Sequence, residues 1–331
     1  MVVLSVVFSA DPATSVRALP SLSLFLLLPI SIDLVDSVRR ARTILLAVAA
    51  SGTAMALLGL VQLARGGSHL QSRIHANLSH YMTLSGLTLL AGCALLGYFF
   101  EGRGRQRWVG LAALVPFAAM VFTLTRGAYV GSIVAVAAYL ALRRPLGLLV
   151  LAPALVAIFL VLPAGIRERA ASIADPADTT NRDRIAMADA GVRMIVDRPI
   201  FGLGPELVKP YYTLYRDPEA PRWRVPHLHD NVLQIAAANG VFAAAAYLGM
   251  LALFFARAGR LLRRNVDPTP FGDQTLVPAA AFLGVAAVTV AGLFEYNFGD
   301  KEVLMATLLL LALPFSRGMT ESGERSPRIQ S

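Results

Sequence analysis

Apolar stretches close to the length of a membrane span recur along the whole of this 331-residue chain. A helix needs about 20 apolar residues to cross the hydrocarbon core of a bilayer. No water is available to backbone groups there, so each stretch predicts a helix and not a strand. Met1–Ala10 is apolar but too short to span, and it predicts a helix stub. The predicted fold class is all-α, a polytopic integral membrane protein with about nine spans, at residues 18–35, 43–63, 81–100, 108–125, 127–142, 146–162, 230–255, 275–294 and 302–315.

The polar segment 164–228 interrupts this pattern and predicts one large helical loop outside the membrane. Residues 164–178 are predicted to be irregular. A helix capped by Thr180 or Asn181 is predicted up to Asp197, because Pro follows shortly after that residue. The chain therefore divides into N-terminal transmembrane helices (1–163), a loop with the candidate site (164–229), C-terminal transmembrane helices (230–315) and a tail (316–331).

Composition and charge agree with a membrane protein. Hydrophobic residues make up 56% of the chain and charged residues 15%, against about 25% in soluble proteins. The net charge of +9 could suggest nucleic acid, but the apolar spans leave no room for a folded nucleic-acid-binding domain. Arginine clusters instead follow the odd-numbered spans, so all of them lie on one side of the membrane. The positive-inside rule makes that side cytoplasmic. Residues 164–228 then face the periplasm or the cell exterior. The sequence has a single cysteine, Cys93, so no disulfide can form within the chain.

Arg126 departs from this one-sided distribution of arginines. It lies midway through an apolar stretch that is too long for one crossing, so a hairpin with Arg126 and Gly127 at its outer tip is predicted. An arginine at the membrane boundary is a candidate functional residue. The alternative interpretation is an anchor whose long side chain reaches the interface.

His229 lies where the polar segment returns to apolar sequence. A neutral imidazole suits proton abstraction from a hydroxyl, and the guanidinium fork of arginine suits phosphate oxygens. Arg184 begins the helix predicted in the loop, where the helix dipole disfavours a cation. His227 and His229 could form half of a metal site, but the sequence shows no third ligand with convincing spacing. The chemistry predicted is therefore metal-free, with no cofactor.

Several motifs, taken together, resemble the O-antigen ligase and O-antigen polymerase superfamily of bacterial membrane glycosyltransferases. The resemblance covers roughly residues 40–300. Its parts are Arg73–Asn77 with His80-Tyr81-Met82-Thr83, Thr123–Tyr129, Arg184 with Asp197–Gly204, and His229-Asp230-Asn231-x-Leu233-Gln234 followed by Asn239-Gly240.

This resemblance implies a metal-independent glycosyltransferase of the inner membrane, with its active face in the periplasm. The donor would be an undecaprenyl-diphosphate-linked glycan, and the acceptor a hydroxyl on lipid A core, a growing polymer or another glycoconjugate. Carried over by motif, the catalytic roles fall on His229, Arg126 and Arg184. Further candidates for contact with the diphosphate or the glycan are Arg73, His80, Asn231 and Tyr211.

Other functions stay open at this stage. A polymerase of the same superfamily would share the donor and the motifs. A lipid-glycan flippase should show charged or broken helices at the bilayer midplane, whereas the polar groups here collect on one outer face. A non-catalytic partner in envelope assembly is a third alternative.

Overall fold

A computed structural model describes residues 1–66, 73–264 and 273–324, and within these ranges it contains helices and no strands. The α-helices are α1 (Val2–Val7), α2 (Pro12–Ser15), α3 (Leu27–Leu34), α4 (Val38–Gly66), α5 (Tyr81–Glu101), α6 (Arg105–Leu111), α7 (Leu114–Phe122), α8 (Arg126–Arg143), α9 (Gly147–Val161), α10 (Ala164–Ala171), α11 (Thr179–Asp197), α12 (Val208–Tyr215), α13 (Asn231–Asn239), α14 (Val241–Arg264), α15 (Asp273–Ala291), α16 (Lys301–Ala312) and α17 (Arg317–Glu324). Segments of 3-10 helix occupy Val16–Leu26, Ser172–Ala174, Asn297–Gly299 and Leu313–Phe315.

Six helical stretches are long and apolar enough to cross a membrane, which confirms the polytopic class. They are Pro12–Leu34, Val38–Gly66, Tyr81–Glu101, Val241–Arg263, Gln274–Ala291 and Lys301–Thr320. The other three predicted spans fall on the broken pair α6–α7, on α8, and on α9, a shorter apolar helix of 15 residues.

The centre of the bundle is formed by α5 and α15, which pack against each other along their length and bury most of their residues. Their close approach depends on small side chains. A Cβ on Gly97 would lie 2.5 Å from Cα of Ala280, and one on Gly131 of α8 would lie 2.5 Å from the Ala287 carbonyl oxygen. Small residues let transmembrane helices approach closely where no hydrophobic effect drives their association.

The helix α9 lies at the periphery, with its apolar side chains exposed. Val161 is 81% exposed and Leu149 is 74% exposed, and none of the residues in this helix is buried. Such an apolar surface is unfavourable in water but suits contact with lipid tails.

A second, smaller core lies outside the main bundle, under the polar segment. It joins α11, α12 and α13 through Met187, Met194, Tyr212, Leu228 and Ala237. This core packs the polar segment against α13, whose N-terminal end follows His229 in the chain.

Three predictions about the elements are wrong. The N-cap of α11 is Asp178 and not Thr180 or Asn181, because the Asp178 carboxylate accepts from the N–H groups of both of those residues. Residues 164–178 are not irregular throughout, because α10 and a 3-10 turn occupy most of them. The predicted span at 230–255 is two helices that separate at Gly240. The separation has a local cause: Gly240 has φ +85° and ψ 167°, and the Val241 N–H donates to the Pro199 carbonyl oxygen across the break.

Candidate active site

One polar cavity of about 330 Å³ lies where the ends of several helices meet. Five segments that are far apart in sequence contribute to it: the approach to α5, the start of α8, the α10–α11 region, the end of the polar segment and the turn after α15. We refer to it as the polar cavity, and its charged and imidazole lining residues are Arg73, His80, Arg126, Arg169, Asp183, Arg184, Arg222, His227, His229, Glu295 and Asp300.

The sequence around His229 fixes its backbone. His229 has φ +54°, a left-handed conformation that is uncommon for a residue with a side chain. Asp230 follows as the N-cap of α13, accepting from the Leu233 N–H at 2.8 Å. Gln234 accepts from the Leu228 N–H at 2.9 Å and ties the preceding turn to the same helix. Strained residues of this kind concentrate at functional sites.

Glu295 is the central acidic group of the cavity and contacts both histidines. Its Oε2 lies 2.9 Å from Nδ1 of His229, and its Oε1 lies 3.3 Å from Nε2 of His227. Glu295 is only 8% exposed, so its charge depends on these partners. Burial raises the pKa of Glu295, but the hydrogen bond from His229 and the charges of His229, His227 and Arg184 outweigh it and leave the pKa below its usual value.

The hydrogen bonds assign opposite tautomers to the two imidazoles. The His229 N–H donates to Nδ1 of His227 at 3.3 Å, so the proton of His227 is on Nε2 and points to Glu295. Burial lowers the pKa of His227 to about 4, and this keeps the ring neutral near pH 7. In its neutral form His229 donates its Nδ1–H to the ionised Glu295, which leaves its Nε2 unprotonated. His227 therefore has both nitrogens engaged, and His229 has one available as a base.

Arg126 lies in the cavity wall, but its terminal nitrogens point to protein groups. It is 4% exposed. Its Nη1 donates to the carbonyl oxygen and the hydroxyl of Ser172 at 2.7 and 2.8 Å. Its Nη2 donates to Asp178 at 3.0 Å and to Asn181 at 2.8 Å.

Arg184 has a different environment. Its guanidinium lies 5.9 Å from the centre of the Phe294 ring, and the described residues offer it no hydrogen bond or ion pair. Burial lowers the pKa of Arg184, while Glu295 opposes that effect. Arg184 is thus a partly buried cation that faces the cavity without a dedicated anion.

Three further residues of the cavity lining are held in different ways. Arg73 stacks over Tyr81 at 4.3 Å, and Arg222 pairs with Asp183 at 2.7 Å. His80 is the N-cap of α5, where its Nδ1 accepts from the Met82 N–H, and burial lowers its pKa.

Two residues carried over from the resemblance lie outside the polar cavity. Asn231 is 1% exposed, and its amide bonds to Asn297, Tyr247 and the Phe298 N–H, so it joins α13 to the turn after α15. Tyr211 packs against the small core of the polar segment. The structure places these two side chains in structural positions, while Arg73, His80, Arg126, Arg184 and His229 meet in one cavity.

Sequence reasoning missed Glu295 and Arg169. Glu295 follows the predicted span 275–294 directly, and an isolated acidic residue at a membrane boundary was a usable signal for function. Arg169 lies in a stretch predicted to be irregular, where nothing distinguishes it from its neighbour Arg167.

The sequence shows no third metal ligand beside His227 and His229, and this prediction is wrong because the fold brings Glu295 to both of them. One donor atom from each of the three residues lies within 4.8 Å of the others, a spacing that could hold a metal ion. Two observations argue against a metal ion at this position. Each imidazole already contacts the Glu295 carboxylate through a ring nitrogen, and Arg184 places a positive charge close to Glu295.

A larger and mostly apolar cavity of about 650 Å³ adjoins the polar one, and we refer to it as the apolar cavity. Pro226, His227 and Asp300 line both. Residues of the N-terminal helices and of α14, among them Leu22, Phe25, Ala246 and Met250, form much of its wall. Burial raises the pKa of Asp300 to about 6, so its charge at the junction is sensitive to pH.

Fold and site together define a class: a polytopic helical membrane protein with a cationic, histidine-containing cavity at one end of its bundle. The family model described as O-antigen ligase matches residues 111–248. The resemblance inferred from the motifs is thereby confirmed for that part of the chain, which includes Arg126, Arg184 and His229 but not Glu295. A search of curated proteins gives no match.

Proposed function

We propose that this protein is a membrane glycosyltransferase that transfers a glycan from a polyprenyl diphosphate to a sugar hydroxyl. The observation that supports this most directly is the 2.9 Å contact between Nδ1 of His229 and Glu295 in a cavity rich in arginine, which leaves Nε2 of the ring to act as a base. The family match and the span-length helices support the same class.

The proposed reaction has one chemical step. The acceptor hydroxyl oxygen attacks the anomeric carbon of the donor glycan, and its proton moves to Nε2 of His229. The bond between that carbon and the diphosphate oxygen breaks, and the diphosphate leaves with the electron pair. Glu295 stabilises the imidazolium that forms, in the manner of the acidic member of a catalytic triad. The proton then passes from His229 to water.

The leaving group gains one negative charge in this step, and the cations of the cavity would offset it. Charge stabilisation by groups already in place is often the largest contribution to catalysis. The donor is activated by its own diphosphate, so the reaction requires no nucleotide in principle.

The shapes of the two cavities suit an amphipathic donor. A diphosphate would occupy the polar cavity, and part of the polyprenyl chain would lie along the apolar cavity, which adjoins it at His227 and Asp300. We further propose that this end of the bundle faces the periplasm of a bacterial inner membrane.

The test is transfer by purified protein. Polyprenyl-diphosphate-linked glycan is supplied with lipid A core in one arm and with a second donor glycan in the other, and products are identified by mass. A product on lipid A core assigns a ligase, and an elongated glycan assigns a polymerase. A parallel run with a chelator should give the same yield, because no step uses a metal.

A different result would overturn the proposal. If proteoliposomes move the lipid-linked glycan across the bilayer without forming a new glycosidic bond, the protein is a flippase. Loss of transfer with chelator, restored by one divalent cation, would instead assign the His227, His229 and Glu295 cluster to a metal.

A further inference from the structure

The arginines of the polar cavity differ in how many of their N–H groups are available to a ligand. The two terminal nitrogens of Arg126 carry four N–H groups, and all four are directed at Ser172, Asp178 and Asn181. A ligand could reach these groups only by displacing hydrogen bonds from a buried guanidinium, which is costly. Arg126 is thus committed to the protein in this conformation.

The contacts of Arg126 close a loop in the chain. Ser172 ends the region of α10, Asp178 is the N-cap of α11, and Asn181 lies in the first turn of α11. The Asn181 amide in turn donates to the carbonyl oxygens of Ser172, Ile173 and Asp175. Arg126 therefore fixes residues 172–181 against the start of α8, and with them the relative positions of α10 and α11.

Arg169 and Arg184 are carried by the two helices that this loop joins. The side chain of Arg169 is 12% exposed and lines the cavity, and its Nε is buried without a hydrogen-bond partner among the described residues. The ion pair that Arg169 makes within the described part of the chain is long, 3.5 Å from Nη1 to Asp178, and it shares that carboxylate with Arg126. A buried N–H without a partner is costly unless a ligand satisfies it.

The local charge balance favours an anion beside these residues. Burial lowers the pKa of Arg169, and the charges of Arg126 and Arg73 lower it further, so the cationic group lies in a field that is already positive. Arg222 has its own carboxylate in Asp183. Arg169 shares the Asp178 carboxylate with Arg126, and Arg184 has no ion pair with a described residue, so positive charge exceeds negative charge around these two arginines.

We propose that Arg169 and Arg184 bind the two phosphates of a polyprenyl diphosphate, and that Arg126 is a positioning residue that holds the loop between them. This rests on the proposed function, and it assigns the diphosphate contact to a residue outside the recognised motifs. A site with one arginine for each phosphate should prefer a diphosphate over a monophosphate.

The test measures binding and loop protection separately. Purified protein in nanodiscs is titrated with undecaprenyl diphosphate and with undecaprenyl monophosphate, and hydrogen exchange is followed over residues 172–181. Arg169→Gln should weaken diphosphate binding about 10- to 100-fold, leave monophosphate binding nearly unchanged, and keep the loop protected. Arg169→Lys serves as a second variant, because it keeps the charge and the helix. Arg167→Gln on the same helix is the matched control and should bind both lipids as the wild type does.

Arg126→Lys should accelerate exchange over residues 172–181 and weaken binding of both lipids together. Asn181→Ala should reproduce that pattern in part although Arg126 is intact, since Asn181 does not line the cavity. If Asn181→Ala leaves exchange and binding unchanged while Arg126→Lys removes binding, Arg126 is a direct ligand and the assignment is wrong.

Failure of the two proposals gives different results. A wild type that binds neither lipid contradicts the proposed function itself. A wild type that prefers the diphosphate, with Arg169→Gln retaining that preference, contradicts only the role of Arg169.

Discussion

His227 and His229 are two residues apart and contact the same carboxylate, yet their chemistry differs because of one backbone hydrogen bond. The His229 N–H occupies Nδ1 of His227, which leaves no free lone pair on that ring once Nε2 donates to Glu295. His229 keeps Nε2 available. Both rings line the cavity, so position does not decide which of them is the base. The hydrogen bonds of their ring nitrogens decide it.

We expect His229→Ala to lower the rate of transfer about 10²- to 10⁴-fold, the usual contribution of a general base. His227→Gln should lose much less, because an amide can still donate to Glu295. Product formation at saturating donor is measured across pH 5 to 9. Since His227 protonates only near pH 4, His227→Gln should keep the wild-type pH profile over this range. An indispensable His227, or a fully active His229→Ala, would show that the base is assigned wrongly.

Glu295→Gln should lower kcat about 10²- to 10⁴-fold with little change in KM for the donor. Glu295 accepts from both imidazoles, and an amide has only one oxygen to replace two acceptors. One ring must therefore change its tautomer. Purification yield and thermal unfolding serve as controls. If KM rises while kcat is unchanged, Glu295 contributes to donor binding and not to orienting the base.

These residues show what the sequence can and cannot predict at this scale. His229, Arg126 and Arg184 are recognisable because they occupy polar motifs at membrane boundaries. Glu295 lies 66 residues after His229, beyond a helical hairpin, and only the fold brings the two together. The reverse holds for Asn231: its motif suggests a ligand contact, but the structure uses its amide to join α13 to the turn after α15.

At the scale of elements, the separation of α13 from α14 sets the position of His229. Residues 199–204 pack against the end of α13, with the Leu203 and Gly204 N–H groups donating to the Ala237 and Ala238 carbonyl oxygens. Apolar periodicity predicted one continuous helix here, because a single Asn-Gly pair inside an apolar run does not reveal a neighbouring chain. The break requires a tertiary contact that composition does not encode.

Gly240→Ala should destabilise the protein by about 1–3 kcal/mol or more, because the backbone of Gly240 adopts a conformation open essentially to glycine alone. A Cβ there would also collide with the Ile200 carbonyl oxygen. Thermal unfolding in detergent measures the effect. Gly249→Ala on α14 is the matched control, since no described residue places an atom within 4 Å of the added Cβ, and it should be neutral or slightly stabilising. Equal stability of the two variants would mean that the break is not required for folding.

At the scale of the whole molecule, the two ends of the bundle differ in chemistry. One end carries the polar cavity. At the other end, Arg143 pairs with Glu101 at 3.4 Å and donates to the Leu262 carbonyl oxygen at 2.7 Å, while Arg144 donates to that of Phe100. The start of α8 is therefore at the cavity end and its last turn at the arginine end. Apolar spacing predicts nine alternating crossings, and six of them fall on helices that are long and apolar enough to span a membrane.

If the arginine end of the bundle is cytoplasmic, as the positive-inside rule predicts, the cavity end faces the periplasm. A reporter fused near Asp217 should read periplasmic, and one fused after Arg144 should read cytoplasmic. The same alternation requires α6–α7, α8 and α9 to cross as well, although they are shorter or more polar than the six clear spans. A reporter after Val161 tests α9 directly and should read periplasmic, because the cavity residue Arg169 follows on the next helix. A cytoplasmic reading at both Val161 and Asp217 would place the cavity on the cytoplasmic face, where a periplasmic acceptor could not reach His229.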